Sequence, residues 1–136
     1  KVQAIKSGYE EAILLSPQGY VSECTGENLF IVREGKIITP PSSAGALEGI
    51  TQKTVRQIAE DLEIPYIQGN ILRSDLYIAE EAFLSGTAAE IVPIRSVDDR
   101  EIGDPGSITK AIQEVYFDVV HGKRPEYESW NEYVNP

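Results

Sequence analysis

Two rhythms of apolar and polar residues alternate along this chain. Residues 11 to 23, EAILLSPQGYVSE, hold two short apolar runs around Ser16-Pro17-Gln18-Gly19. Pro17 suits the second position of a type I turn and Gly19 the fourth, so the pattern predicts strand, turn, strand. NLFIVREGKIITP, residues 28 to 40, predicts a second hairpin with Glu34-Gly35 at the bend. In TQKTVRQIAEDL the spacing changes: Val55, Ile58, Ala59 and Leu62 fall at i, i+3, i+4 and i+7, one face of a helix. IPYIQGNIL predicts a short strand, and SDLYIAEEAF a short helix with Ser74 as N-cap. AFLSGTAAEIVPIRSVDDREIG alternates and turns as β-structure around a Ser-Gly-Thr corner. SITKAIQEVYFDVVHG predicts a helix capped by Ser107, with Ile108, Ala111, Ile112, Val115 and Val119 on one face and Gly122 as its stop. The last residues carry Tyr127, Trp130 and Tyr133, aromatics that predict a docked tail. At the other end, KVQAIKSG reads as the last turns of a helix stopped by Gly8, so the chain is expected to be a piece of something longer.

Strands, helix, strand, short helix, strands, helix is not strict βαβ alternation. It predicts an α+β (mixed α/β) fold: a barrel-like mixed sheet with helices packed outside. The 136 residues suffice for one domain, and 41% hydrophobic residues suffice for a core. A net charge of −10 argues against nucleic acid or an anionic membrane as partner. No apolar run approaches the roughly 18 residues of a bilayer span. The single cysteine, Cys24, excludes an internal disulfide and fits a reducing cytoplasm. One cysteine and one histidine, His121, far apart, speak against a zinc site; a histidine at a helix C-terminus needs no catalytic role.

Three stretches carry candidate chemistry. In SECTGENLFIV, residues 22 to 32, Glu23 and Glu27 interrupt a strand pattern. Alternation puts Glu23 on the face of Val21, which favours burial, and a buried carboxylate needs a positive partner; the plain alternative is a strand residue facing solvent. In LEGIT, residues 47 to 51, Gly49 precedes Ile50 and Thr51 at a helix start. Unpaired N–H groups and the dipole make such a start an anion site, although Thr51 alone reads more readily as a simple cap. In SGTAAE, residues 85 to 90, a small-residue corner bearing Thr87 suits an anion-holding nest. A bend that merely needs Gly86 is the commoner use of such a turn.

Taken in order, ECTGENLF (23 to 30), IITPP (37 to 41), LEGIT (47 to 51), SGTAAEIVPIRSVDDREIG (85 to 103) and ITKAIQEVYFDVVHGK (108 to 123) resemble the class IV, or fold type IV, pyridoxal-phosphate aminotransferases. The likeness is nearest to those acting on branched-chain amino acids. This resemblance implies a homo-oligomeric enzyme that moves the amino group of Leu, Ile or Val to 2-oxoglutarate with pyridoxal 5'-phosphate as cofactor. It implies that Glu23 pairs with the pyridine nitrogen, making the ring a better electron sink. Gly49, Ile50, Thr51 and Thr87 would hold the phosphate, and Leu47 would pack on the ring. Gly26 would leave room for the substrate side chain, and Thr87 with Ala88 would hold the substrate carboxylate. Glu27 and Asn28 would be supporting structure.

The chain departs from the family pattern at Gln52, where a basic residue is common, at Glu48, where proline is frequent, and at Cys24, where glycine is frequent. None of Lys1, Lys6, Lys36, Lys53, Lys110 and Lys123 matches the family's Schiff-base lysine. That lysine is expected upstream, so residues 1–136 are expected to be the C-terminal, cofactor-binding large domain without a catalytic residue of its own. A companion chain with the N-terminal half would complete the site. The same motifs fit a D-amino-acid transaminase, an aminodeoxychorismate lyase, or a fragment that binds phosphate or cofactor without catalysis.

Overall fold

The computed structural model describes residues 13–24, 27–41, 50–86 and 90–122; the side chains of Leu14, Glu23, Cys24, Ile50 and Glu90 lie outside that description. The first hairpin joins β1 (Ile13–Leu15) to β2 (Val21–Cys24). Its turn closes as the Pro-Gln-Gly signal predicts: the Gly19 N–H donates to the Ser16 carbonyl at 2.8 Å. Gly19 takes a φ of +88°, a region glycine enters without a Cβ penalty. The second hairpin joins β3 (Asn28–Arg33) to β4 (Lys36–Thr39). Glu34 and Gly35 both have positive φ, +52° and +75°, the requirement of a two-residue type I′ bend.

Helix α1 (Ile50–Asp61) follows, then β5 (Tyr66–Gln68), the short helix α2 (Arg73–Tyr77), β6 (Glu81–Gly86), β7 (Glu90–Pro93), the small β8–β9 hairpin (Ser96–Val97 and Arg100–Glu101), and α3 (Ser107–Val120). The central sheet has the order β5-β4-β3-β6-β7. Only the β4–β5 pair is parallel, so the sheet is mixed. Among the described residues it stays open, with β5 and β7 at its edges, and does not close into a barrel.

Both faces of the sheet are buried, and strand alternation sorts two cores. Phe30, Val32, Ile37 and Phe83 point to the side where α1 contributes Val55, Ile58 and Ala59, and α3 contributes Ile112, Val115, Tyr116 and Val119. Phe30 and Phe83 are partners in the β3–β6 register, and their rings stack with centroids 4.8 Å apart. Leu29, Ile31, Ala82 and Leu84 point the other way, toward Val21, Ile71, Leu76 of α2, and Val97. Burying side chains of this size contributes roughly 1.5–3 kcal/mol each. The helical period in residues 55 to 62 holds for Val55, Ile58 and Ala59, but Leu62 is exposed, because α1 ends at Asp61 and the chain turns away.

Two expected caps are corrected. The N-cap of α2 is Leu72, not Ser74, and the Asp75 carboxylate accepts the Leu72 N–H at 2.9 Å. The N-cap of α3 is Gly106, not Ser107. In both cases a carboxylate serves the helix start, so a serine one or two residues on is not needed as cap. Residues 79 to 83 also leave the helical reading: α2 stops at Tyr77, and Glu81 already belongs to β6. Gly122 follows α3 at a φ of +70°, as expected of a stop residue. The readings of residues 1 to 12 and of the aromatic tail lie outside the described residues.

Candidate functional site

Sheet register brings the described flanks of the candidate stretches to one end of the sheet. Asn28, at the start of β3, pairs with Ser85 near the end of β6, and Gly86 pairs with Glu90 at the start of β7. Thr39 closes β4 at the same end, since β4 runs antiparallel to β3 with Ile38 opposite Ile31. The chain therefore leaves this end three times: between Cys24 and Glu27, between Pro41 and Ile50, and between Gly86 and Glu90. Gly26 falls in the first departure, Leu47 and Gly49 in the second, Thr87 and Ala88 in the third; all five lie outside the described residues. Glu23 is the third residue of β2, with its backbone opposite Leu14. Ile50 and Thr51 open α1, and Thr51 is buried at 7% exposure.

Alternation makes this end polar on the helix side. Asn28 shares the face of Phe30, Thr39 that of Ile37, and Ser85 that of Phe83. All three are buried, Thr39 and Ser85 completely. Thr39 donates its hydroxyl to the Leu29 carbonyl at 2.7 Å. From α1, Gln52 is also buried, and its Nε2 reaches Thr39 Oγ1 at 3.5 Å. That contact fixes the first turn of α1 against the end of β4. Among the described residues, Gln52 Oε1 and Ser85 Oγ meet no hydrogen-bond partner. Buried polar atoms are rarely left so. The first turn of α1 carries no acidic side chain, so nothing on it repels an anion at the positive end of the helix.

Opposite chemistry governs the start of α3. Glu81, buried at the first position of β6, accepts the Thr109 N–H at 2.7 Å. This carboxylate fills the N-terminal end of α3 with a protein anion. Gly106 makes room for it: a Cβ there would lie 2.5 Å from Glu81 Cδ.

Reading by motif assigns no role to Thr39, Ser85 or Glu81. The first two carry a signal, a polar residue at an inward strand position next to a candidate loop. Glu81 carries none, because its partner lies 28 residues away. Among the described residues, no group of three or more His, Cys, Asp or Glu side chains could hold a metal, and no helix is long and apolar enough to cross a membrane.

A second polar cluster lies on the opposite side of the sheet. Asp98, in the β8–β9 bend, accepts from Arg73 Nη2 at 2.7 Å and from the Tyr77 hydroxyl. The Tyr77 hydroxyl first, and the Arg73 guanidinium next, hold the Asp98 carboxyl below the usual carboxylate range. Arg100 lies over the Tyr77 ring, 4.4 Å from its centroid. These groups are largely exposed, and they tie the hairpin to α2.

Comparison with known proteins agrees with the geometry. Residues 1–97 match the family model "Amino-transferase class IV". The chain is 48% identical over 133 residues to a probable branched-chain-amino-acid aminotransferase of Aquifex aeolicus, covering 96% of this chain and 43% of that one. It superposes on a branched-chain aminotransferase from Thermoproteus uzoniensis, crystallised with norvaline, with TM-score 0.92 and 50% identity, over 95% of this chain and 43% of the other. A branched-chain amino acid aminotransferase from Thermobaculum terrenum, crystallised in its PLP form, gives TM-score 0.92 and 43% identity, over 95% and 43%. The chain thus spans under half the length of these relatives. The residues matched by the family model include all three departures from the sheet end, and by that match and these likenesses the chain belongs to the class IV aminotransferase family.

Proposed function

We propose that residues 1–136 form the cofactor-holding, C-terminal large domain of a branched-chain amino acid aminotransferase. The enzyme moves the amino group of Leu, Ile or Val to 2-oxoglutarate with pyridoxal 5'-phosphate, works in the cytoplasm and assembles as a homo-oligomer. The observation that carries this reading is the start of α1: a helix of 12 residues opens with a buried Thr51 and no acidic side chain, at the polar end of the sheet. Helix N–H groups and a hydroxyl suit a phosphate. Ser85, a buried hydroxyl without a partner among the described residues, supports a polar guest at that end.

Each residue then has a role. Ile50 and Thr51 donate backbone N–H groups and a hydroxyl to the cofactor phosphate, and Gly49 lets the backbone approach. Thr87 reaches the same phosphate. Leu47 would help hold the cofactor ring. Glu23 would accept a hydrogen bond from the protonated ring nitrogen, and the opposite charges would favour each other's ionised forms. Gly26 leaves space for the substrate side chain, while Thr87 and Ala88 orient its carboxylate. When bound, the cofactor supplies the electron sink for breaking a bond at the substrate's α-carbon. No lysine of residues 1–136 matches the family's cofactor-bearing lysine, and in the proposed enzyme that role would fall to a residue outside them.

Full-length enzyme supplied with pyridoxal 5'-phosphate should transaminate leucine with 2-oxoglutarate and leave D-alanine and aminodeoxychorismate unchanged. Turnover of either of those, with leucine inert, would overturn the substrate assignment. Borohydride reduction of the loaded enzyme should label one lysine outside residues 1–136; a label on Lys53 or Lys110 would overturn the division of labour.

A further inference from the structure

We infer that Gln52 is a positioning residue for the phosphate-binding start of α1, acting through Thr39. The inference rests on the reading of that helix start given above, and adds a residue to which the family pattern gave no role. Three observations carry it. Gln52 stands in the first turn of α1, directly after the two residues that would donate to phosphate, yet its side chain is turned inward and only 3% exposed. Its Nε2 donates to Thr39 Oγ1, and Thr39 in turn donates to the Leu29 carbonyl, so one relay joins α1 to β4 and β3. Its Oε1 is buried and has no partner among the described residues.

A side chain serving stability alone would not be expected in this arrangement. Burying an amide whose carbonyl oxygen meets no partner among the described residues costs more than its one long donor contact returns. An apolar residue of the same size would pack there more favourably. What the amide provides is direction: it fixes the rotation of the first helical turn against strands that are rigid in both cores. The turn so held is the one that bears the N–H groups of Ile50 and Thr51. Preorganised donors bind an anion without first having to be ordered.

The test uses the full-length enzyme and four variants: Gln52→Leu, Thr39→Val, the double variant, and Thr39→Ser. Pyridoxal 5'-phosphate affinity is titrated, inorganic phosphate is titrated on the cofactor-free protein, and melting of that protein is recorded. Gln52→Leu should weaken both ligands by about tenfold, the scale of one lost hydrogen bond, with melting unchanged or raised. Thr39→Val should weaken them similarly, the double variant no further, and Thr39→Ser, which keeps the hydroxyl, should bind as the parent does. Affinities within twofold of the parent in both Gln52→Leu and Thr39→Val would overturn the inference while leaving the phosphate reading intact. Additive losses that track a fall in melting temperature would also overturn it. A parent enzyme that binds neither ligand would overturn the phosphate reading itself, and this inference with it.

Discussion

Strand β6 connects two helix starts that solve the same problem differently. At its first residue, Glu81 turns a buried carboxylate onto the Thr109 N–H, so that N–H in the first turn of α3 is satisfied from within the protein. Toward its last residue, Ser85 faces the end of the sheet where α1 begins, and the inward strand residues there, Asn28, Thr39 and Ser85, are all neutral. Neither helix carries an acidic side chain in its own first turn. The positive end of a helix dipole favours an anion in both places. One start has a protein anion built in, and the other has amides and hydroxyls in keeping with an anion that arrives as a ligand. The difference teaches where to look for a site: at the helix start that, among the described residues, no carboxylate of the fold serves.

The largest effect expected from breaking this contrast is at Glu81. Glu81→Ala strips the Thr109 N–H of its acceptor and leaves it buried, a loss of about 1.5–3 kcal/mol for a hydrogen bond to a charged group. Urea denaturation should show it, with Glu81→Gln recovering part of the loss because an amide oxygen still accepts. Phosphate affinity of the folded protein should stay constant in both. An unchanged midpoint in Glu81→Ala would remove α3 from the comparison.

Gly106→Ala comes next. Its backbone, at φ −86°, tolerates any residue, so the cost is steric: the new Cβ would stand 2.5 Å from Glu81 Cδ and 2.6 Å from Oε2. Overpacking of this kind costs about 1–3 kcal/mol. In a Glu81→Ala background the same substitution should cost almost nothing. That coupling, measured as a double-mutant cycle in urea, separates a carboxylate that fits against Gly106 from one that merely lies nearby.

A smaller change reads the two starts against each other. Lys53 and Lys110 occupy the fourth position of α1 and of α3, and both are exposed. Lys53→Glu adds an anion to the start of α1 that has none in its first turn, and should stabilise the protein by about 0.3–1 kcal/mol at low salt. It should also weaken inorganic phosphate binding. Lys110→Glu adds a second anion beside Glu81 and should gain less or nothing. Melting at two salt concentrations checks the pair, since screening shrinks both effects. Equal gains at the two starts would show that Glu81 does not neutralise α3.

Much of this contrast is legible in the residues, and the part that is not has a physical reason. The hairpins are readable because Ser16-Pro17-Gln18-Gly19 and Glu34-Gly35 fix backbone angles locally. Helix α1 is readable because Val55, Ile58 and Ala59 keep a helical period against one core. Residues 79 to 83 read as helix and fold otherwise because Ala79, Glu80, Glu81 and Ala82 suit a helix intrinsically, whereas pairing with β3 decides their state. The serine caps fail for a related reason: the groups that serve α2 and α3 are carboxylates, and the one for α3 comes from a strand far back in the chain. The candidate loops are visible as motifs, but the shared end of the sheet at which their described flanks lie is not, because register across three strands sets it. Thr39 and Ser85 mark the intermediate case, since alternation alone turns both inward, and a polar residue turned inward beside a loop asks for a partner.

The smallest expected effect belongs to a third carboxylate, Asp98, and it tests whether pairing or burial gives Glu81 its weight. Asp98 has two donors, the Tyr77 hydroxyl and Arg73, but its side chain is 41% exposed and that of Arg73 is 61% exposed. Its carboxyl is held below the usual range by the hydroxyl first and the guanidinium next. The stabilisation this gives is fully present above the unfolded carboxylate value, near about 3.9, and is lost as pH falls from there through the folded value. Solvent screening keeps it under about 1 kcal/mol. Asp98 also sits at a φ of +51°, which asparagine accepts readily. Asp98→Asn should therefore be slightly less stable than the parent above roughly pH 5, with the gap closing in more acid solution once the parent's carboxylate is protonated. Urea midpoints across that range would show the gap close. A loss at neutral pH as large as that of Glu81→Ala would mean that donors alone, exposed or buried, set the worth of a carboxylate here, and the contrast between the two helix starts would then need no buried anion to explain it.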